Sequence, residues 1–168
     1  MKSFKYFLYV AGSVLVFLFL VKGAYYPNED TNKASAFEWE KQVNIYLLDS
    51  KRIEAGGDCR EVFPVSRTVL NAETLGPGAL EVLLLGPIPD EMGTGFTTAI
   101  PNGVLIQKFE IKNKVAYVDF SKDLNDGVAG SCMVGAIRSQ IENTLNSLPD
   151  IDSVVISVNE ETEGILEP

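Results

Sequence analysis

Apolar and polar residues alternate along "VNIYLL", where Val43, Ile45 and Leu47 stand against Asn44 and Tyr46, and this period of two predicts a first strand. "KRIEAGGDCREVF" breaks the pattern with Gly56, Gly57 and Asp58 and reads as a loop. "FPVSRTVL" is a short extended segment with Val65 and Val69 inward. The period then turns helical in "LGPGALEVLLLGP": Pro77 opens a short helix, Leu80, Leu83 and Leu84 form its apolar face, and Gly86 and Pro87 close it. "IPDEMGTGFTTAIPNG", residues 88–103, reads as a surface connection. Gly93 and Gly95 do not make a phosphate loop there, because no Lys-Ser/Thr follows and no helix opens after them.

"VLIQKFEI" and "VAYVDF" read as two strands of an antiparallel hairpin, turning at Lys112, Asn113 and Lys114, where asparagine tolerates positive φ. The clearest helix follows. Ser131 is placed to cap it, Val134, Ile137, Ile141, Leu145 and Leu148 recur every three or four residues, and Pro149 ends it. "DSVVISV" supplies a last strand with Val154, Ile156 and Val158 on one face, and the acidic end, residues 160–168, reads as an exposed tail. The expected fold is α+β: a mostly antiparallel sheet of about four to five strands with two helices packed on it.

The N-terminus has no such periodicity. Lys2 and Lys5 precede "YFLYVAGSVLVFLFLV", which ends at Lys22. With Phe4 this stretch approaches the roughly 18 to 20 residues that span a hydrocarbon core of about 30 Å. The basic residues favour a cytoplasmic N-terminus and an extracytoplasmic remainder. A cleaved signal peptide is the alternative, although "VKGAYY" offers a poor small-residue cleavage site and no cysteine follows for lipidation. The division is therefore a cytoplasmic stub and transmembrane anchor over 1–22, a polar tether over 23–41, a domain over 42–159 and the tail. Tyr25 and Tyr26 fall where an interfacial aromatic belt belongs, and Trp39, the only tryptophan, is expected to pack on the domain.

Composition then narrows the chemistry. The 168 residues carry a net charge of −9 and no histidine, so the usual neutral-pH general base and the commonest metal ligand are both missing. An acidic domain also lacks the basic footprint for nucleic acid. In an exported domain Cys59 and Cys132 pair more readily than they ligate metal, and without further ligands they cannot complete a zinc site. The other reading is two buried thiols. A disulfide closing so long a loop would stabilise by about 4 kcal/mol.

"VAYVDFSKDLNDG" places Asp119, Ser121, Asp123 and Asn125 at alternate positions, as in a calcium loop. Leu124 stands where that loop needs glycine, however, and Gly130 where it needs glutamate. Ser121 has no histidine to activate it. The structural reading is that Asp119 and Ser121 satisfy backbone donors as the strand ends while Phe120 fills the core. Arg67, alone in an apolar segment, either binds a carboxylate ligand or pairs with an acid of the same domain, for which Asp119 is the candidate.

"FPVSRTV", "GALEVLLLGP", "IPNGVLIQKFEIKNKVAYVDFS" and "GSCMVGAIRSQIENTLNSLPDIDSVVISV", in that order, resemble the GerMN domain named for sporulation and spore germination proteins. The resemblance covers Val43 to Val158 in a single copy and rests on Arg67, on Gly86 and Pro87, on Pro101 and Gly103, and on Asp119, Phe120 and Ser121. It implies a noncatalytic assembly or interaction module of the bacterial envelope, with no catalytic residues, metal or cofactor. The implied partner is another envelope protein, met by a sheet edge or the Gly/Thr loop. Membrane contact would run through residues 4–21. A module binding or hydrolysing cell-wall glycan or peptide, with Asp119 and Asp123 as acid and base, is the alternative.

Overall fold

The computed structural model describes residues 40–70 and 74–167. The anchor over 4–21, Tyr25, Tyr26 and Trp39 lie outside the described residues. Strand β1 (Glu40–Asp49) runs antiparallel to β2 (Val62–Leu70) along its length, and its end pairs with the two-residue strand β3 (Phe96–Thr97), giving the order β2-β1-β3. β1 begins at Glu40, within the segment read as tether. A second sheet has the order β4-β5-β6, from β4 (Ile106–Lys112), β5 (Val115–Phe120) and β6 (Ser153–Val158). β4 and β5 form the expected hairpin around Asn113 and Lys114, whose φ of 50° and 63° suit a mirror-image turn. β5 and β6 are parallel.

The fold is thus α+β, but the single expected sheet is two sheets of three strands. The reason lies in α4 (Ser131–Asn146). Its Thr144 Oγ1 accepts the Tyr46 N–H at 3.0 Å and its Gln140 Nε2 donates to the Tyr46 carbonyl at 3.2 Å. Helix side chains therefore occupy the edge of β1 where further strands would add. The other helices are α1 (Ser50–Glu54), α2 (Leu75–Leu84) and α3 (Pro89–Thr94).

Two expected loops contain structure. The segment 51–63 opens with α1 because the Asp49 carboxylate accepts the N–H groups of Lys51 and Arg52, turning the chain as β1 ends. The connection over 88–103 holds α3 and β3. Pro89 sits in the first turn of α3, Glu91 Oε2 accepts the Ile88 N–H at 2.9 Å, and Gly95 stops the helix at φ 114°. Ser131 is not a cap. It is the first residue of α4, and Gly130 holds the capping position with φ 86°.

One core joins both sheets. Val43, Ile45 and Leu47 of β1, Leu80 and Leu83 of α2, Ala116, Val118 and Phe120 of β5 and the predicted stripe of α4 are all buried. Val65, Leu84 and Val154 lie against that core only partly buried. α2 touches β1, β2 and β4, while α4 touches β1, β2 and β6. The last residues correct the expectation of an exposed tail: Glu160, Glu161 and Glu163 are exposed, but Ile165 and Leu166 are buried. Asn125 Oδ1 accepts the Leu166 N–H at 2.9 Å and Arg138 donates to the Ile165 carbonyl, so the chain end is tied to α4.

Candidate functional site

Side chains alternate across β5, so Ala116, Val118 and Phe120 face the core and Val115, Tyr117 and Asp119 face outward. The outward face is a shallow groove of about 440 Å³ between Lys108, Tyr117, Asp119, Val155, Ser157 and Glu160. Tyr117 is 43% exposed and Val155 36%. At the far end of β4 the Lys112 ammonium sits 2.9 Å from Glu110 and holds that carboxyl below its usual range, while Glu110 raises Lys112.

Asp119 lines the groove and is 6% exposed. Its Oδ1 accepts the Ser157 hydroxyl at 2.6 Å and the Glu160 N–H at 2.7 Å. The carboxylate therefore ties β5 to β6 and fixes the turn after it. Ser121 is equally enclosed. Its Oγ accepts the Leu105 N–H at 3.1 Å and donates to Asp123 Oδ2 at 2.8 Å, while its own N–H bonds the Leu105 carbonyl. A buried hydroxyl held at both its donor and an acceptor position is not presented to a substrate. Phe120, fully buried between these two anchors, fills the core.

The four alternating oxygen residues thus turn to different protein donors. Asp119 serves β6 and its turn, Ser121 and Asp123 serve Leu105 and each other, and Asn125 holds Leu166. Among the described residues, no group of three or more acidic, cysteine or histidine side chains converges in a way that could hold a metal ion.

Arg67 does pair with an acid of the same domain, but the partner is Glu91, not Asp119. The guanidinium makes two parallel bonds to Glu91, Nη1 to Oε1 at 2.6 Å and Nη2 to Oε2 at 2.5 Å, and both side chains are 15% exposed. Arg67 belongs to the first sheet, next to α3, whereas Asp119 lies on the outer face of the second. The Arg67 hydrogen bonds hold the Glu91 carboxyl below its ordinary range against the opposing effect of burial. Since Glu91 also accepts the Ile88 N–H, one carboxylate links β2 to the start of α3.

Gly86 carries φ 73° after α2, a conformation that favours glycine, and its N–H bonds the Leu83 carbonyl before Pro87 leads away. Pro101 and Gly103 shape the turn that delivers Leu105 to Ser121. Cys59 and Cys132 form a disulfide with a Cα separation of 5.9 Å, fastening the loop before β2 to the first turn of α4. The motif residues thus serve different junctions: Arg67 joins β2 to α3, Gly86 and Pro87 close α2, Pro101 and Gly103 lead to Leu105, and Asp119 and Ser121 anchor the end of β5 around Phe120.

The residues that join those junctions were less visible in the sequence. Glu91 stands three residues after Ile88, with Pro89 between, which is a helix-start pattern. Gln140 and Thr144 interrupt the α4 stripe with polar groups and are fully buried. Their partners, Tyr46, Thr98 and Ala99, carry no local mark of the contact.

These features define a disulfide-closed α+β domain whose motif side chains bond within the domain. The chain belongs to the Germane family: the model described as sporulation and spore germination matches residues 44–164. Two solved structures share the fold. The tandem GerMN domains of the sporulation protein GerM from Bacillus subtilis are 21% identical at a TM-score of 0.57, with 73% of this chain aligned to 40% of that one. The first GerMN domain of the same protein is 22% identical at a TM-score of 0.53, with 73% and 85% covered. This chain thus spans two fifths of the tandem structure's length. No curated protein matches the sequence.

Proposed function

We propose that the protein is a noncatalytic module of the bacterial cell envelope that docks another envelope protein, with residues 4–21 as its membrane anchor and the domain on the extracytoplasmic side. The observation that carries this reading is the engagement of the motif side chains. Arg67, Asp119 and Ser121 each bond a neighbouring element, and among the described residues no buried side-chain nitrogen or oxygen lacks a hydrogen-bond partner. The absence of histidine and the membership of the Germane family support it. The disulfide supports an oxidising compartment.

Photo-crosslinking in intact cells, with the reactive residue placed in turn on several exposed positions, tests this reading. The expected result is a discrete adduct with one envelope protein. The outer groove of the second sheet, with exposed Tyr117 beside charged and hydroxyl side chains, favours a second reading as a cell-wall glycan or peptide binder. Cosedimentation with purified peptidoglycan without crosslinked protein would select that second reading, and release of soluble products would overturn the noncatalytic assignment.

A further inference from the structure

The two sheets leave four lateral edges, and three of them carry features that discourage another strand. β2 contains Pro64, which has no N–H, and its Ser66 carbonyl is already bonded by Arg67 Nη1 at 3.2 Å. β3 is two residues long. β4 has a register shift between Ile106 and Lys108 and three charged side chains. β6 has none of these. Its sequence, Ser153 to Val158, is rich in β-branched residues and lacks proline and charge.

The direction of the backbone groups on β6 follows from its end bonds. The Ser153 N–H reaches the Lys114 carbonyl and the Asn159 N–H reaches the Phe120 carbonyl, so odd-numbered residues face β5. Val158 faces the other way, exchanging both of its bonds with Glu161. By alternation Val154 and Ile156 point their N–H and C=O groups outward, where they have no partner among the described residues. The Ile156 side chain lies in the core, which fixes the register of this edge. The tail does not continue the ladder, because the pairing stops at the Val158–Glu161 bridge.

Charge selects what can add there. Exposed Asp150 and Asp152 precede the strand and exposed Glu160, Glu161 and Glu163 follow it, and among the described residues only Asp152 has a basic partner, Lys114 at 3.5 Å. We infer that the open edge of β6 takes up an extended segment of a partner protein, with apolar residues at its centre and lysine or arginine at its ends, as an added strand. A second copy of this edge would bring the same acids together and is disfavoured by their repulsion. The inference rests on the reading of the domain as a docking module and names the surface and the partner's chemistry.

The test uses the full chain, isotopically labelled, in detergent micelles. A synthetic peptide with an alternating Val-Thr centre and Lys-Lys ends is compared with its Glu-Glu counterpart. At about ten times the dissociation constant of the basic peptide, exchange of the Val154 and Ile156 amides is expected to slow by about tenfold. The acidic peptide should leave them unchanged. Val154→Pro, with its circular dichroism unaltered, should lose the protection. Joint reversal by Asp150→Lys, Asp152→Lys, Glu160→Lys and Glu161→Lys, which leaves the edge intact, should exchange the two peptides' effects.

Equal protection by both peptides, protection elsewhere without these amides, or self-association that protects them in the absence of peptide would each overturn the inference. In cells, a photo-crosslinker at Val155 is compared with one at Ser66. Adducts from Val155 support the β6 edge. Adducts from Ser66 alone overturn the β6 assignment and retain the docking reading, while no adduct from any exposed position overturns both.

Discussion

Gln140 of α4 bonds the two sides of a gap that no strand closes: its Nε2 donates to the Tyr46 carbonyl at 3.2 Å and its Oε1 accepts the Ala99 N–H at 2.8 Å. Gln140 is fully buried, so removing its amide strands both groups away from water. Gln140→Leu is expected to lower stability by about 2–6 kcal/mol, the sum of two unsatisfied groups. A urea transition displaced to lower midpoint with an unchanged slope would show it. A shift near zero would mean that the backbone groups find other partners.

Removing Arg67 leaves Glu91 largely enclosed and uncompensated. Arg67→Ala should cost about 2–3 kcal/mol, below the range for fully buried pairs because both side chains keep some contact with water. Arg67→Ala with Glu91→Ala should cost less than the two single changes together. Thermal unfolding of all four variants measures the difference.

The same pair makes stability depend on acidity. The Arg67 bonds depress the folded pKa of Glu91, so the unfolded chain takes up the proton more readily. The contribution is fully present above the ordinary value of 4.5 and is lost as pH falls from there through the lower folded value. Melting temperatures of the wild type and Glu91→Gln should converge as the solution is acidified below that value. Parallel curves would contradict this account.

Gly76 is required by its neighbour. A Cβ built there runs into the Phe109 ring, although Gly76 lies in α2, where alanine would otherwise favour the helix by about 1 kcal/mol. The collision should dominate, and Gly76→Ala is expected to destabilise by about 1–3 kcal/mol. Phe109→Leu in the same chain should restore part of the loss, as followed by the denaturant midpoint.

The Cys59–Cys132 bridge spans 73 positions, and reducing it should lower stability by about 4 kcal/mol through the freedom returned to the unfolded chain. Melting with and without a reducing agent, and of Cys59→Ser with Cys132→Ser, measures the loss.

The local pattern was legible wherever burial followed a single period. The α4 stripe, the β4–β5 hairpin, β1, β2 and β6 all follow from their own residues. What escaped depended on contacts across the chain. α3 and β3 occupy a polar, glycine-bearing stretch whose order comes from Glu91 capping and from pairing with β1. The choice of Glu91 over Asp119 as the arginine's partner required knowing which sheet each acid occupies. Ile165 and Leu166 are two apolar residues at an acidic end, too few for a period and buried only because Asn125 and Arg138 draw them in. At the site, the roles of Asp119 and Ser121 as backbone anchors were readable from their place at a strand's end. Their partners Ser157, Glu160 and Leu105 were not.

The bonds from α4 to Tyr46 join positions 94 and 98 residues apart. A chain emerging from its N-terminus must therefore keep the first sheet unfinished until most of the domain has been made. Its folding is expected to be slow, governed by late long-range closure rather than by local segments. A break between Tyr46 and Ser131 would separate the two partners of these bonds.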